Sequence, residues 1–142
     1  MDDANARLSA ANVALAEKLL NGFGRDPDWF DHVAPDVLLE LPFGATASLP
    51  TRLEGAPAHD LFRTAMGAFD VKFHDVVVRP LADPTQVVAE YRGLGEPMGR
   101  VYPQTYVCFM TFRDGKLAGY REYFDTAIVR DVLGDFITPA EG

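Results

Sequence analysis

Few side chains in this sequence are placed to move a proton inside an apolar setting, and Glu122 stands out among them. It lies in Tyr120-Arg121-Glu122-Tyr123-Phe124, a carboxylate within an aromatic strand. Enclosure in such a setting disfavours the charged form and raises the carboxyl pKa toward the working pH, where a general acid or base is most useful. His59 is a second candidate, as it stands three residues before Phe62 and seven before Met66, near the inward stripe of a predicted helix. His74 alternates with Phe73 on a strand and is a candidate for contact with a substrate, although its side of the sheet is open at this point. None of these histidines has a metal-like partner at i+2 or i+4, and His32 falls in a predicted surface helix, so no metal site is expected. Nucleophile-elbow, phosphate-loop and dinucleotide motifs are absent, so no cofactor is expected either. Gly93-Leu94-Gly95-Glu96-Pro97-Met98-Gly99 is Gly-rich but opens no helix, and reads as a loop at a pocket mouth. The single Cys108 excludes an intrachain disulfide framework and reads as a small buried hydrophobe.

The elements that must position these groups follow from periodicity. Residues 4–20 form an amphipathic helix, with Leu8, Ala11, Leu15 and Leu19 at helical spacing. Asp26-Pro27-Asp28 opens a second short helix carrying Trp29, Phe30 and Val33, which Pro35 ends. Residues 37–41 make a strand and residues 42–50 a loop. A third helix opens at Gly55-Ala56-Pro57 and turns Phe62, Ala65, Met66 and Phe69 to one side. From Val71 onward strands take over, at residues 71–79, 86–92, 102–113 and 116–124. Helices first and strands after predict an α+β domain, with the N-terminal helices packed on one face of a curved antiparallel sheet.

Asp114-Gly115 between apolar runs marks a two-residue hairpin turn. Counting outward pairs Phe109 with Tyr120, Val107 with Glu122 and Thr105 with Phe124. Strict alternation then puts Tyr120, Glu122, Phe124 and Phe109 on one face and Tyr106, Cys108, Met110, Tyr123 and Asp125 on the other. Both faces are apolar enough to be the concave one, so periodicity alone leaves Glu122 either in a pocket or out in solvent.

The 142 residues, 48% hydrophobic and 24% charged, suit a single domain over 1–142 with a real core. A net charge of −8 with no Lys/Arg cluster argues against nucleic acid and anionic membranes as partners. The acidic N-terminus does not read as a signal peptide, and no stretch approaches the ~20 apolar residues of a membrane span, so the cytoplasm is expected.

The run Phe112-Arg113-Asp114-Gly115-Lys116-Leu117, then Arg121-Glu122-Tyr123-Phe124-Asp125 and Val132-Leu133-Gly134, resembles the ending of SnoaL-like domains of the nuclear-transport-factor-2-like superfamily. Leu41-Pro42-Phe43-Gly44 and Arg52-Leu53-Glu54-Gly55 resemble loops of the same group. The resemblance implies a cone-shaped α+β domain with an internal pocket, a fold that hosts several reactions as well as non-catalytic binders. Phenazine-biosynthesis proteins of this fold end in a similar segment. Their functional Glu maps onto Glu122, and a helix His of theirs falls within a residue of His59. Limonene-epoxide-hydrolase-like proteins share the ending with an Asp at the position of Glu122, but the Arg and Asp they need on an earlier strand read here as Tyr91 and Gly93. Arg92 and Glu90 lie one residue out of phase, which puts epoxide hydrolysis in doubt. The acid of SnoaL-type polyketide cyclases falls closest to Asp125, on the face opposite Glu122 in the register above.

The function expected from these strands of argument is cofactor-free acid/base chemistry (isomerisation, cyclisation or imine-forming condensation) on a small hydrophobic carbonyl compound. Glu122 would act with His59 or a neighbouring Tyr, between apolar walls from Phe43, Phe69, Phe109 and Tyr120. The rival readings are a non-catalytic ligand-binding or assembly domain and an epoxide hydrolase. A homodimer is expected through an apolar convex face of Tyr106, Cys108, Met110 and Tyr123.

Overall fold

The first helix begins where Asp2 accepts the backbone N–H of Asn5 at 2.8 Å, and it runs as α1 over Asp3–Gly22. Its buried side holds Asn12, Ala16, Leu19 and Leu20, whereas Leu8 is exposed. The inward stripe is thus turned from the predicted one. The reason is Asn12, whose amide donates to the Pro84 carbonyl at 2.9 Å and ties the helix to the turn between two strands. The computed structural model describes residues 2–137.

After α1 come a 3-10 turn at Trp29–His32, strand β1 at Val33–Glu40, a second 3-10 turn at Gly44–Ala47 and a short β2 at Arg52–Glu54. Pro35 therefore lies inside β1 rather than ending a helix. Trp29 anchors the first turn by donating from its indole to the Leu19 carbonyl at 2.7 Å. Helix α2 spans Ala56–Met66 with Pro57 in its first turn, as the sequence predicted. Strands β3 (Lys72–Pro80), β4 (Gln86–Gly95), β5 (Tyr102–Arg113) and β6 (Lys116–Phe124) follow, and a third helix α3 (Thr126–Ile137) closes the chain's described part. That last helix was not predicted. Its Ile128, Val129, Val132 and Leu133 do fall at helical spacing, but three of the four are β-branched and mask the pattern.

The strands form one open curved sheet in the order β2-β1-β6-β5-β4-β3. All neighbours are antiparallel except β1 and β6, which run parallel, so the sheet is mixed and the fold is α+β. Helices α1 and α2 cover its concave face, and the core between them includes Phe23, Phe62, Phe73, Tyr91 and Met110. Helix α3 packs against β5 and the Gly44–Ala47 turn.

The β5–β6 hairpin turns as predicted, with Asp114 and Gly115 at φ 53° and 73° and Arg113 opposite Lys116. Two pairs further on the register shifts, between Phe112 opposite Leu117 and Thr111 opposite Gly119, leaving Ala118 as an extra residue on β6. Beyond this bulge Met110 faces Tyr120, Cys108 faces Glu122 and Tyr106 faces Phe124. A one-residue slip exchanges the faces of one strand relative to the other. The pairing of Phe109, Val107 and Thr105 with the β6 residues is therefore corrected, and Tyr106, Cys108 and Met110 point inward instead of forming a convex patch.

Candidate active site

Between the sheet and the helices lies a cavity of about 100 Å³. Helix α2 contributes Leu61, Phe62 and Ala65, and α3 contributes Val129 and Leu133. The sheet contributes Leu39, Phe73, Tyr102, Tyr106, Tyr120 and Glu122. A groove of about 360 Å³ on the convex face is lined by mixed charges such as Asp36, Glu54 and Arg113, and has no enclosed acid among the described residues.

Glu122 is brought to the cavity by the bulge, which aligns Tyr120, Glu122 and Phe124 with Tyr106 and Cys108 on one face. It is partly buried by area because it borders the hollow, yet protein surrounds it closely. Its Oε2 accepts from the Tyr91 hydroxyl at 2.5 Å and from the Tyr120 hydroxyl at 2.7 Å, and the two hydroxyl oxygens are themselves 2.5 Å apart. Both tyrosines are almost fully buried.

Three oxygens in mutual hydrogen-bond contact need three protons, one for each edge. Two phenols and an ionised carboxylate supply only two. The arrangement is completed when the carboxyl is protonated, Oε2 then donating to one phenol and accepting from the other while the phenols share the third bond, and burial favours the same state. Burial pushes Glu122 up from an ordinary 4.5 to about 7, against the opposing pull of the hydrogen bonds from Tyr91 and Tyr120. Burial, reinforced by neighbouring negative charge, holds both phenols well above their ordinary 10, so they remain proton donors. The result is a carboxyl poised near neutrality, able to give or take one proton.

The other residues singled out from the sequence are scattered. Phe69 and Tyr120 line the cavity. Phe43 is 52% exposed and meets Tyr123 edge-on at 5.2 Å, outside the cavity. Phe109 lies on the convex face under the Arg121 guanidinium, because the bulge reversed its side. His74 is exposed, opposite Arg92 at the sheet's outer strand. His59 is turned away: its Nε2 donates to the Ala34 carbonyl at 3.1 Å and its ring stacks on Phe30. Of the two proposed catalytic groups, then, only Glu122 borders the cavity. Asp125 caps α3 by accepting the Ala127 N–H at 3.0 Å. Its backbone is gripped by the buried Gln104, whose amide donates to the Asp125 carbonyl at 2.9 Å and accepts its N–H at 2.8 Å.

Tyr91 is the member of this cluster that sequence reasoning missed. Its signal was present, since Val87, Ala89 and Tyr91 alternate on the buried side of β4. Gly93 continues that side, where a Cβ would stand 2.6 Å from the Tyr106 ring, so only glycine lets that ring lie flat against β4. Arg92 and Glu90 face outward, exposed. Among the described residues no cluster of three or more His, Cys, Asp or Glu converges to hold a metal ion. No helix among them is long and apolar enough to cross a membrane.

A family model described as a SnoaL-like domain matches residues 17–120. An uncharacterized PhzA/B-like protein of Pseudomonas aeruginosa is 31% identical over 121 residues, covering 82% of each chain. Among solved structures, a phenazine biosynthesis-related protein of Pseudomonas aeruginosa superposes with a TM-score of 0.79 at 18% identity, over 99% of this chain and 94% of that one. A candidate isomerase of Bacillus subtilis gives 0.75 at 23% identity, over 89% and 95%. At these identities the structural likeness speaks for the fold alone.

Proposed function

The chain belongs to the SnoaL-like domain family, and on that premise we propose that it is a cofactor-free acid/base enzyme acting on a small hydrophobic carbonyl compound in the cavity beneath α2. The observation that carries the reading is the enclosed Glu122–Tyr91–Tyr120 cluster, with its carboxyl raised to about 7. A carboxyl that is half-ionised near neutrality can remove a proton next to a carbonyl and return it elsewhere, the common step of isomerisation, cyclisation and condensation. Tyr91 and Tyr120 hold the carboxyl in one orientation, and the apolar walls exclude water. His59 has no part in this reading, because its ring serves β1.

The test is exchange of the α-hydrogens of cyclopentanone in D2O, followed by NMR. Exchange above background is expected with the wild type, falling by about 10²–10⁴-fold with Glu122→Gln. A wild type that binds the ketone without accelerating exchange would instead be a ligand-binding domain.

The reading also includes residence in the cytoplasm and a homodimer, formed through a convex face different from the one predicted. Phe43, Val107, Phe109 and Tyr123 form its apolar centre. Asp36, Glu40 and Glu54 lie to one side and Arg79 and Arg92 to the other. A two-fold axis along the strands would set this apolar centre on the partner's own, with the flanking charges, among them Asp36 paired with Arg113 and Arg79 with Glu90, at the rim. Light scattering at micromolar concentration should give twice the chain mass, and a monomer would remove the dimer from the reading.

A further inference from the structure

We propose that the cavity is built to receive a small apolar amine in its protonated form, with the ammonium N–H donating to Glu122 Oε1. The inference rests on the cavity being the functional site, as read above, but not on which acid/base reaction takes place there.

The first argument is charge. Among the described residues that line the cavity, Glu122 is the only acid and none is Lys, Arg or His. The nearby basic groups are committed elsewhere: His59 to the Ala34 carbonyl, Arg63 to Asp60 and the Phe30 ring, Lys72 to Asp70, and Arg121 to the Phe109 ring. An anionic ligand would lose its hydration and find no counter-charge. A cation would find one.

The two oxygens of the carboxyl also divide their labour. Oε2 is engaged by both phenols in either charge state, and in the closed ring of three oxygens every hydroxyl proton is used on an edge. Oε1 has no protein donor, and it is not sealed away, since no buried side-chain oxygen or nitrogen among the described residues lacks a partner. The group offered to an incoming molecule is therefore an acceptor. A ketone brings only an acceptor of its own, whereas an ammonium brings donors.

Third, the walls suit a cation. Phe62 stands edge-on to Tyr120 at 5.3 Å, and Phe23, Phe69, Phe73 and Tyr106 complete an aromatic surround, the kind of wall in which a cation is better accommodated than an anion. The hollow, about 100 Å³, is smaller than the ~150 Å³ known to hold benzene, so a five-membered ring or a short branched chain is the fitting size.

Docking is an ion-exchange step: the neutral carboxyl and the ammonium become a carboxylate–ammonium pair, and one proton leaves for solvent. The titratable groups facing Glu122 are Tyr91 from β4, Tyr102, Tyr106 and Cys108 from β5, and Tyr120 on its own strand. All stay protonated near neutrality, because burial raises each of them. The described residues that α2 and α3 present to the cavity, Leu61, Phe62, Ala65, Val129 and Leu133, are all apolar.

Titration calorimetry with cyclopentylamine, cyclopentanone and cyclopentanecarboxylate, at pH 6 and pH 8 and in two buffers of different ionisation enthalpy, tests the proposal. The amine is expected to bind at least roughly tenfold more tightly than the ketone, and the carboxylate not at all. Amine affinity should rise roughly tenfold from pH 6 to pH 8 as Glu122 ionises, with close to one proton released per amine bound at pH 6. Glu122→Gln should erase the preference for the amine while cyclopentanone still binds, which shows the variant folded. Equal or tighter binding of the ketone or the carboxylate, or amine affinity independent of pH without proton release, overturns the proposal. If the ketone alone binds and exchanges its α-hydrogens, the acid/base reading stands without the amine. If no probe binds and no exchange is seen, both fall.

Discussion

The two faces of the β5–β6 hairpin have similar composition and opposite electrostatics. On the convex face, Phe109 and Tyr123 lie among charges that have partners in water, such as Arg79 with Glu90 and Arg113 with Asp36. On the concave face, Tyr106, Tyr120 and Phe124 lie beside Glu122, and among the described lining residues there is no other carboxyl and no cation. Surface acids keep their charge because solvent and a neighbouring guanidinium supply the compensation. Glu122 has little of the first and, among the described residues, none of the second, so its relief short of protonation comes from two phenolic hydrogen bonds. An aromatic strand therefore makes no site on its own. Enclosure of one unpaired titratable group within it does.

The sharpest way to break this contrast is Glu122→Gln, which should lower turnover by about 10²–10⁴-fold in any assay the protein supports. The same variant sharpens it through stability. The folded pKa of about 7 lies above the ordinary 4.5, so between these values the folded chain holds a proton that the unfolded chain has released. Glu122 therefore costs nothing below pH 4.5 and about 3 kcal/mol above pH 7, where its burial as an anion is uncompensated. Denaturant titrations should show wild-type stability falling as pH rises through that window, and the Gln variant should lack that share of the fall. A smaller effect is expected from Gly93→Ala. Its methyl group would stand 2.6 Å from the Tyr106 ring, so a loss of about 1–3 kcal/mol and a disturbed cavity should appear in thermal unfolding and ketone binding. Tyr91→Phe removes one hydrogen bond that lowers the acid, so the Glu122 titration followed by carboxyl NMR should move upward by roughly one unit. The convex face gives the smallest response. Arg113→Ala breaks a pair that is more than half exposed at both ends, and should change stability by less than ~1 kcal/mol.

Much of this molecule was legible along the chain. Helix α2 opened at its Gly-Ala-Pro signal, and β5 and β6 span residues 102–113 and 116–124 as their alternation and the Asp-Gly turn required. Glu122 was singled out because a lone carboxylate in an aromatic strand is unusual whatever surrounds it. Its partners were not legible in the same way. Strict alternation from the turn placed Phe109 beside it and Tyr106 and Cys108 behind it, and the extra residue Ala118 reversed both assignments. Ala118 carries no signal, since alanine is acceptable in a regular strand and in a bulge alike. His59, on α2, had the spacing of an inward residue, but the Ala34 carbonyl of β1 offered its ring a partner.

What the sequence alone determined is what depends on neighbours along the chain: the order of elements, the hairpin turn, and one acid among aromatic residues. Tertiary structure decided which face of the hairpin is enclosed, and that Tyr91, 31 residues before Glu122, completes the cluster. Local signals report backbone preference and period. The charge state of a carboxyl depends on what surrounds it in space, and here that was set by a single bulge and by one strand pairing with its neighbour.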